Sequence, residues 1–193
     1  MARQSKPVGP APSRAQLHEA ALQHLARFAA TEAGLVRVLD RRVDRWARAA
    51  AGQADAADDS LDAVVAQSKL DARTVAAALR QAGVVNDAAF AAARSARLIR
   101  AGRSRRGVAA HLVSKGIAVE LLGEHLPDRN QELAAAVVFA RKRRIGPFRP
   151  AGGDRERELP TLARAGFSRD IAERVLAMPL SEAQAALDTL RRE

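Results

Sequence analysis

The sequence contains no cysteine and no tyrosine, and only 3% of its 193 residues are aromatic. The absence of cysteine excludes disulfide bonds, thiolate metal sites and a cysteine nucleophile. Sheet cores and base-stacking surfaces both depend on aromatic side chains, so the low aromatic content counts against both. Alanine, the residue with the highest helix propensity, is abundant instead. We therefore expect an all-α protein.

Long uncharged stretches are also missing. No run of about 18 residues lacks a charge, as a membrane-spanning helix would require, and no apolar segment follows the basic, proline-containing N-terminal residues. We therefore expect a cytoplasmic protein without membrane contact. Hydrophobic residues make up 48% of the chain, which is enough to form a core without disulfide or metal support.

Capping residues, glycines and prolines divide the chain into short helices. The spacing of apolar residues predicts helices over about 13–28, 32–50 and 61–82, the last with a break near 68–71, and several shorter helices further on. Residues 51–60 lack apolar anchors, which predicts a loop. The predicted N-caps are Ser13, Thr31, Asn86 or Asp87, Ser104 and Asp128, and the glycines that end helices are Gly83, Gly102, Gly116 and Gly146.

Part of the sequence is repeated at a distance of 50 residues. Residues 112–126 and 162–176 share one glycine and four apolar positions in the same register, and a capping residue precedes each segment at the same spacing, Ser104 and Asp154. Chance recurrence in an alanine-rich sequence is the alternative interpretation. We favour tandem three-helix repeats stacked into an elongated, curved array, because one such unit is too small to bury its own apolar face.

This organisation predicts a short tail followed by three repeats. The predicted segments are a flexible tail at 1–12, repeat 1 at 13–83 with a loop insertion at 51–60, repeat 2 at 84–127, and repeat 3 with a C-terminal helix at 128–193. Elongated arrays of this kind present an extended surface to other macromolecules. The predicted organisation therefore favours a binding protein.

No pattern typical of metal binding is present. The histidines form neither an HExxH motif nor an i, i+4 pair, so we interpret all of them as surface or partly packed side chains: His18, His24, His111 and His125. Asp58 and Asp59 stand in the predicted loop without a second carboxylate cluster, which favours solvated charges over a metal site. We therefore expect no bound metal.

Motifs of catalysis and phosphate binding are missing as well. The sequence has no GxGxxG, GxxxxGK[ST] or GxSxG motif. Residues 101–107 resemble a phosphate loop only superficially, although the predicted helix N-terminus at Ser104 could contact an anion. We therefore predict a protein that is not an enzyme and that has no cofactor.

Positive charge is concentrated in two stretches. The chain has a formal net charge of +10, from 32 Lys and Arg against 22 Asp and Glu. Residues 88–119 contain no acidic residue and carry seven positive charges, and residues 133–153 contain none and carry five. A GC-rich genome would explain many arginines, but a surface that serves only solvation would mix both signs. We favour a functional surface that faces a polyanion or an acidic protein groove.

Six segments of the sequence match those of a known protein family, both in their residues and in their order along the chain. They are ALQHLARF (21–28), GVVNDAAFA (83–91), RAGRS (100–104), LVSKGI (112–117), ARKRRIGPFR (140–149) and LARAGFS (162–168). Together they resemble the RecX family, bacterial regulators of the RecA recombinase. The resemblance extends from about residue 17 to 178. Asn86 stands where the family more often has an acidic residue, a mild change because asparagine also caps helices.

The resemblance implies an all-helical protein of tandem three-helix repeats that binds along the groove of the RecA–DNA filament, and we expect this protein to be a monomer. Such a protein would inhibit ATP hydrolysis and strand exchange by RecA and limit filament growth, and the family has no catalytic residues to carry over. A filament groove presents acidic side chains and DNA phosphates, which basic side chains can contact. The alternative that the sequence leaves open is a stand-alone basic DNA-binding protein that grips the duplex backbone.

The two basic stretches supply the predicted contact residues. One surface would consist of Arg94, Arg97, Arg100, Arg103, Arg105 and Arg106, and the other of Arg141, Lys142, Arg143 and Arg144. The sequence leaves open whether these side chains touch RecA or DNA.

Overall fold

The computed structural model describes residues 8–52, 59–151 and 155–192, and these residues form α-helices and two short 3-10 helices without a β-strand. The all-α prediction is confirmed for this part of the chain. The helices are α1 (Arg14–Leu25), α2 (Glu32–Ala51), α3 (Asp59–Gln81), α4 (Asp87–Arg100), α5 (Arg105–Ser114), α6 (Val119–His125), α7 (Arg129–Arg143), α8 (Glu158–Arg164), α9 (Arg169–Ala177) and α10 (Leu180–Arg192), with 3-10 helices at Gly146–Phe148 and Arg155–Arg157.

Some predicted features lie outside the described residues. These are most of the tail (1–7), residues 53–58 of the predicted loop, among them Asp58, and the predicted cap Asp154. Asp59 begins α3, but its side chain is not described. Among the helices that are described, none is long and apolar enough to cross a membrane.

The chain divides into two compact units, Met1–Phe90 and Ala91–Glu193, and the boundary falls inside α4. Each unit has buried apolar side chains of its own. The division into three repeats and their stacking into a curved array stay predictions.

The first unit is built on the packing of α3 against α1 and α2. On α2, Leu35, Leu39 and Val43 recur every four residues and are fully buried, as a core-facing helical stripe requires. Each such side chain contributes roughly 1.5–3 kcal/mol when it leaves water. On α3, Val75 and Leu79 are buried against this stripe within the same core cluster.

The predicted break of the third helix near 68–71 is wrong, because α3 is continuous from Asp59 to Gln81. Polar residues in that stretch are compatible with the helix. The Gln67 amide donates to Asp71 one turn further on, and the Thr74 hydroxyl donates to the Leu70 carbonyl oxygen. Ser68 is buried and continues the packed face of the helix.

Two neighbouring residues cap two different helices of the first unit. The Asn86 side chain accepts a hydrogen bond from the Ala89 amide at 2.9 Å and caps α4, its own helix. The Asp87 side chain accepts from the Glu32 amide at 2.8 Å and so binds the first turn of α2. Both bonds satisfy amides that have no partner within their helix. The predicted caps Ser13 and Thr31 are also confirmed.

The second unit is arranged around α7, which packs against α9 and α10. Residues 135–138 and Ala140 are buried on α7, and Ile171 and Val175 are buried on α9, which packs against α7. Small alanine side chains allow the helices to approach closely. A capping box at Asp128 begins α7, as predicted, and a left-handed Arg144 ends it.

The repeated sequence segments adopt the same helix–turn–helix structure. In the first segment, α5 ends at a turn in which the Ile117 amide donates to the Leu112 carbonyl at 3.1 Å. In the second, α8 ends at a turn in which the Phe167 amide donates to the Leu162 carbonyl at 3.2 Å. These four side chains are buried. The sequence repeat therefore corresponds to a structural repeat of the α5–α6 and α8–α9 pairs.

The turn between α4 and α5 lies directly against α7 at Gly102. This glycine has a φ of +80°, and a Cβ atom added there would lie 3.0 Å from the Phe139 backbone nitrogen and 3.2 Å from the Ala135 carbonyl oxygen. These distances are tighter than nearly all real Cβ contacts, so a side chain at Gly102 would require neighbouring atoms of α7 to move by a few tenths of an ångström. Gly102 therefore sets how closely the α4–α5 turn can approach α7.

We predict that Gly102→Ala is more destabilising than Gly83→Ala. Both glycines are left-handed, but a Cβ atom at Gly83 would meet no atom within 4 Å. Gly83→Ala should lower the free energy of unfolding by about 1 kcal/mol through backbone strain alone. Gly102→Ala adds a backbone clash and should cost about 2 kcal/mol or more in total. Urea unfolding followed by circular dichroism measures both; equal losses would contradict the close approach.

Candidate partner-binding surface

The N-terminus of α5 is fixed by a serine that makes bonds in two directions. Ser104, the predicted N-cap, is 1% exposed, and its Oγ accepts a hydrogen bond from the Gly107 amide at 3.2 Å. The same hydroxyl donates to the Ala165 carbonyl oxygen at 2.8 Å, in the turn between α8 and α9. The cap of α5 is therefore also a tie to the second copy of the repeated turn.

A buried carboxylate occupies the positive end of the same helix. Glu132 of α7 is 8% exposed, and its Oε1 accepts a hydrogen bond from the Arg105 amide at 3.0 Å. A carboxylate in this position is stabilised by the free amides and by the helix dipole. The anion contact considered at Ser104 from the sequence is therefore made internally, by Glu132.

Four of the ten predicted contact residues make contacts inside the second unit. The Arg94 Nε donates to His111 Nε2 at 2.8 Å, and the Arg105 guanidinium donates to the carbonyl oxygen of Pro127. The Lys142 Nζ donates to the Ala101 carbonyl oxygen at 2.9 Å, and the Arg143 guanidinium lies 5.7 Å from the centre of the Phe139 ring. These four side chains therefore have structural partners in addition to any external role.

The other six predicted residues are exposed and unpaired. In the part of the chain that the structure describes, no hydrogen bond, ion pair or ring contact holds their guanidinium groups. We call them the unpaired arginines: Arg97, Arg100, Arg103, Arg106, Arg141 and Arg144.

The two basic stretches, which are distant in sequence, adjoin in the second unit. The bond from Lys142 to Ala101 places the C-terminal end of α7 beside the α4–α5 turn, where Arg100 and Arg103 lie. The close approach at Gly102 supports the same arrangement. The sequence predicted two contact surfaces, and the structure brings their residues to neighbouring positions.

One arginine counted in the basic stretches is neutralised within the fold. The Arg149 guanidinium makes a two-point contact with Glu158, whose side chain is 3% exposed, and these hydrogen bonds raise the pKa of Arg149. Planar two-point pairing is the strongest form of this contact. Of the five positive charges in residues 133–153, that of Arg149 is therefore not available to a partner.

Sequence reasoning missed the structural roles of Glu132 and Glu158. One signal was present for Glu132, because it lies one turn before Ala135 and Ala136 and so shares their buried face. A carboxylate on an apolar helix face predicts a buried donor that it must pair with. For Glu158 the partner, Arg149, lies in a different element, and no local pattern identifies it.

His111 lies among cations of the predicted surface. Partial burial and the nearby positive charges of Arg94, Lys115 and Arg103 lower its pKa. Because Nε2 accepts a hydrogen bond from Arg94, the imidazole must be neutral in this geometry. In the described residues, no group of three or more acidic or histidine side chains is placed to hold a metal ion.

We predict that Arg149→Ala destabilises the fold while Arg141→Ala does not. Removal of Arg149 takes the two-point partner from a buried carboxylate, which should cost about 3 kcal/mol. Arg141 is exposed and unpaired, so its replacement should change the free energy of unfolding by less than about 0.5 kcal/mol. Urea unfolding of both variants measures the difference. A loss below about 1 kcal/mol for Arg149→Ala would show that the pair contributes little.

We predict a histidine-dependent loss of stability at acidic pH. The folded-state pKa of His111 is lowered, so below about pH 6.5 the unfolded chain binds more protons at this residue than the folded chain does. The free energy of unfolding therefore decreases as the pH is lowered. His111→Gln should reduce this dependence, because an amide oxygen can accept from Arg94 without titrating. The exposed residue His18 provides the control, His18→Gln. Identical pH profiles for the wild-type chain and His111→Gln would refute the prediction.

Comparison with known proteins identifies relatives of this chain. The chain is 40% identical over 167 residues to the regulatory protein RecX of Myxococcus xanthus (strain DK1622), and the match covers 83% of each chain. It is 44% identical over 88 residues to the regulatory protein RecX of Agrobacterium fabrum, covering 44% of this chain and 47% of that protein. No family model matches the sequence, and no solved structure matches the fold. On the extent of its identity with the Myxococcus protein, the chain belongs to the RecX family.

Proposed function

We propose that this protein is a non-enzymatic modulator, mainly an inhibitor, of the RecA recombinase. It binds in the groove of the RecA–DNA filament and limits ATP hydrolysis, strand exchange and filament growth. The observation that carries the proposal is the set of unpaired arginines in the second unit. Membership of the RecX family, whose relatives are named as regulatory proteins, supports the choice of partner.

Unpaired cations close together are unfavourable in the free protein. Like charges on one surface repel one another and lower the stability of the folded state. A polyanionic partner removes this repulsion, and guanidinium groups form two-point contacts with carboxylates and phosphates alike. A protein–DNA filament offers both kinds of anion, which suits a surface whose cations have no internal partner.

The fixed N-terminus of α5 supports the same function. Arg103 and Arg106 lie on either side of a cap that Ser104 and Glu132 hold in place. A surface that is already rigid loses less conformational entropy when it binds. The capping network therefore favours binding by the arginines around it.

Charge reversal of three unpaired arginines tests the proposal. We predict that the wild-type chain lowers ATP hydrolysis by RecA on single-stranded DNA at substoichiometric ratios. The variant Arg100→Glu, Arg103→Glu, Arg106→Glu should lose this inhibition, because each replacement turns an attraction into a repulsion. Arg105 is left intact because its guanidinium donates to Pro127.

The control variant makes the same change of charge elsewhere. Arg14, Arg41 and Arg174 are exposed, and Arg14→Glu, Arg41→Glu, Arg174→Glu should inhibit like the wild-type chain. Circular dichroism spectra of both triple variants should match the wild-type spectrum, which checks that the variants stay helical. Normal inhibition by the first variant would show that the wrong surface was chosen, and no effect of the wild-type chain at equimolar protein would refute RecA modulation.

Binding to bare DNA distinguishes the alternative. If the six unpaired arginines gripped a duplex alone, the logarithm of the affinity should fall with the logarithm of the salt concentration at a slope near about −5. We expect co-sedimentation with RecA filaments to be stronger than binding to the same DNA without RecA. Equal binding to both would favour a stand-alone DNA-binding protein.

A further inference from the structure

A cleft of about 420 Å³ lies between α1 and α2 in the first unit, and none of the residues that line it belongs to the unpaired arginines. Its floor is apolar and includes Ala20, Val38 and Leu39. Leu39 is fully buried in the core of the unit, so the apolar surface of the floor that a partner can reach comes from Ala20 and Val38, which are partly exposed.

A large aromatic side chain stands at the edge of this cleft. Phe28 follows the C-terminal end of α1 and is 60% exposed, in a chain that has only five phenylalanines. The ring of His24 lies against it, with the centroids 5.3 Å apart and the planes tilted by 36°. The exposed part of this ring gains no free energy of burial in the free protein. A partner that covered the ring would provide that free energy.

Three arginines surround the apolar floor. Arg27, Arg42 and Arg45 line the cleft, and within the described residues no carboxylate pairs with them. All three are exposed. An apolar floor within a ring of unpaired cations is complementary to an apolar side chain flanked by anions.

The charges of α2 are separated by helix face. Asp44 binds Lys69 of α3 at 2.7 Å, and Asp40 lies near the positive charges of Lys69 and Arg73. The carboxylates of α2 are thus turned towards α3, while its arginines at 42 and 45 line the cleft. Along the sequence the five arginines and three acidic residues of α2 are interspersed, and the fold places them on different faces of the helix.

We propose that this cleft binds an acidic peptide segment of a partner protein. A large apolar side chain of the peptide packs on Phe28 and on the apolar floor, and the neighbouring carboxylates contact Arg27, Arg42 and Arg45. Arginine and carboxylate groups make favourable two-point contacts, and one apolar anchor in a groove is a common mode of peptide recognition.

The shape of the cleft favours a peptide over single-stranded nucleic acid. A nucleic-acid strand gains affinity by stacking successive bases on successive rings along a basic groove. Phe28 is the one phenyl ring that lines this cleft, and His24 already leans against it. The apolar side chains beyond the ring are aliphatic, with Gln23 beside them, and an aliphatic surface suits an apolar anchor better than a polar base edge.

Fluorescence anisotropy on the full chain tests the inference. The probe is a short labelled peptide with a central Phe between runs of Asp and Glu, and the comparison probes are the same peptide with Ser in place of Phe and a labelled oligothymidylate. We expect the Phe peptide to bind with the highest affinity. Phe28→Ala and the double variant Arg42→Glu, Arg45→Glu should each weaken it by about tenfold or more.

A matched control comes from the same helix. Arg41 is exposed on α2 but does not line the cleft, so Arg41→Glu should change the affinity by less than about twofold. Because Phe28 is exposed, Phe28→Ala should keep the wild-type circular dichroism spectrum. Absent peptide binding, or binding that both cleft variants leave unchanged, would overturn the inference. Tighter binding of oligothymidylate with the same sensitivity to the variants would instead assign the cleft to nucleic acid.

The test is independent of the proposed action on RecA. None of the cleft residues belongs to the unpaired arginines, and the experiment contains no RecA and no filament. A chain that fails to inhibit RecA can still bind the acidic peptide. Conversely, loss of peptide binding in Phe28→Ala leaves the proposed filament surface intact.

Discussion

The position of the basic surface depends on how the N-terminus of α5 is held. Ser104 ties this end to the Ala165 carbonyl oxygen, and the Glu132 carboxylate binds the Arg105 amide. The side chain of Arg105 then reaches the carbonyl oxygen of Pro127, before the start of α7. Two segments that are distant from α5 in sequence, residues 127–132 and the turn at Ala165, thus fix one helix end. The arginines that flank this end, Arg103 and Arg106, have no partners of their own. These few polar bonds to the neighbouring residues therefore determine where their backbone lies.

The features that the sequence revealed are local ones. Caps such as Ser104 and turn glycines such as Gly102 act within a few residues, so their chemistry can be recognised without the fold. The repeated turn was recognisable for the same reason. The pairing of Arg149 with Glu158 was not, because it joins two elements and depends on packing. The continuous α3 shows the same limit, since the break predicted near 68–71 does not occur in the packed helix.

A count of charges along the chain gave an incomplete description of its surfaces. It located the basic stretches of the second unit but could not show that some of their arginines serve the fold. It also missed the cleft of the first unit, because Asp44 and Arg45 are neighbours in sequence and cancel in any linear count. A helix turns by about 100° per residue, so such neighbours face different partners. Charge becomes informative about binding only after internal pairs have been removed.

The adjacent caps Asn86 and Asp87 bear on how this protein can be dissected. A fragment that ends at Gly83 would lack the Asp87 carboxylate that binds the first amide of α2, and it would also lack Val85, which is buried in the core of the first unit. A fragment that starts at Ala91 would lack the cap of α4, the helix that carries Arg97 and Arg100. Fragments that represent the two halves must therefore overlap, because the first half needs Val85 and Asp87 and the second half needs Asn86.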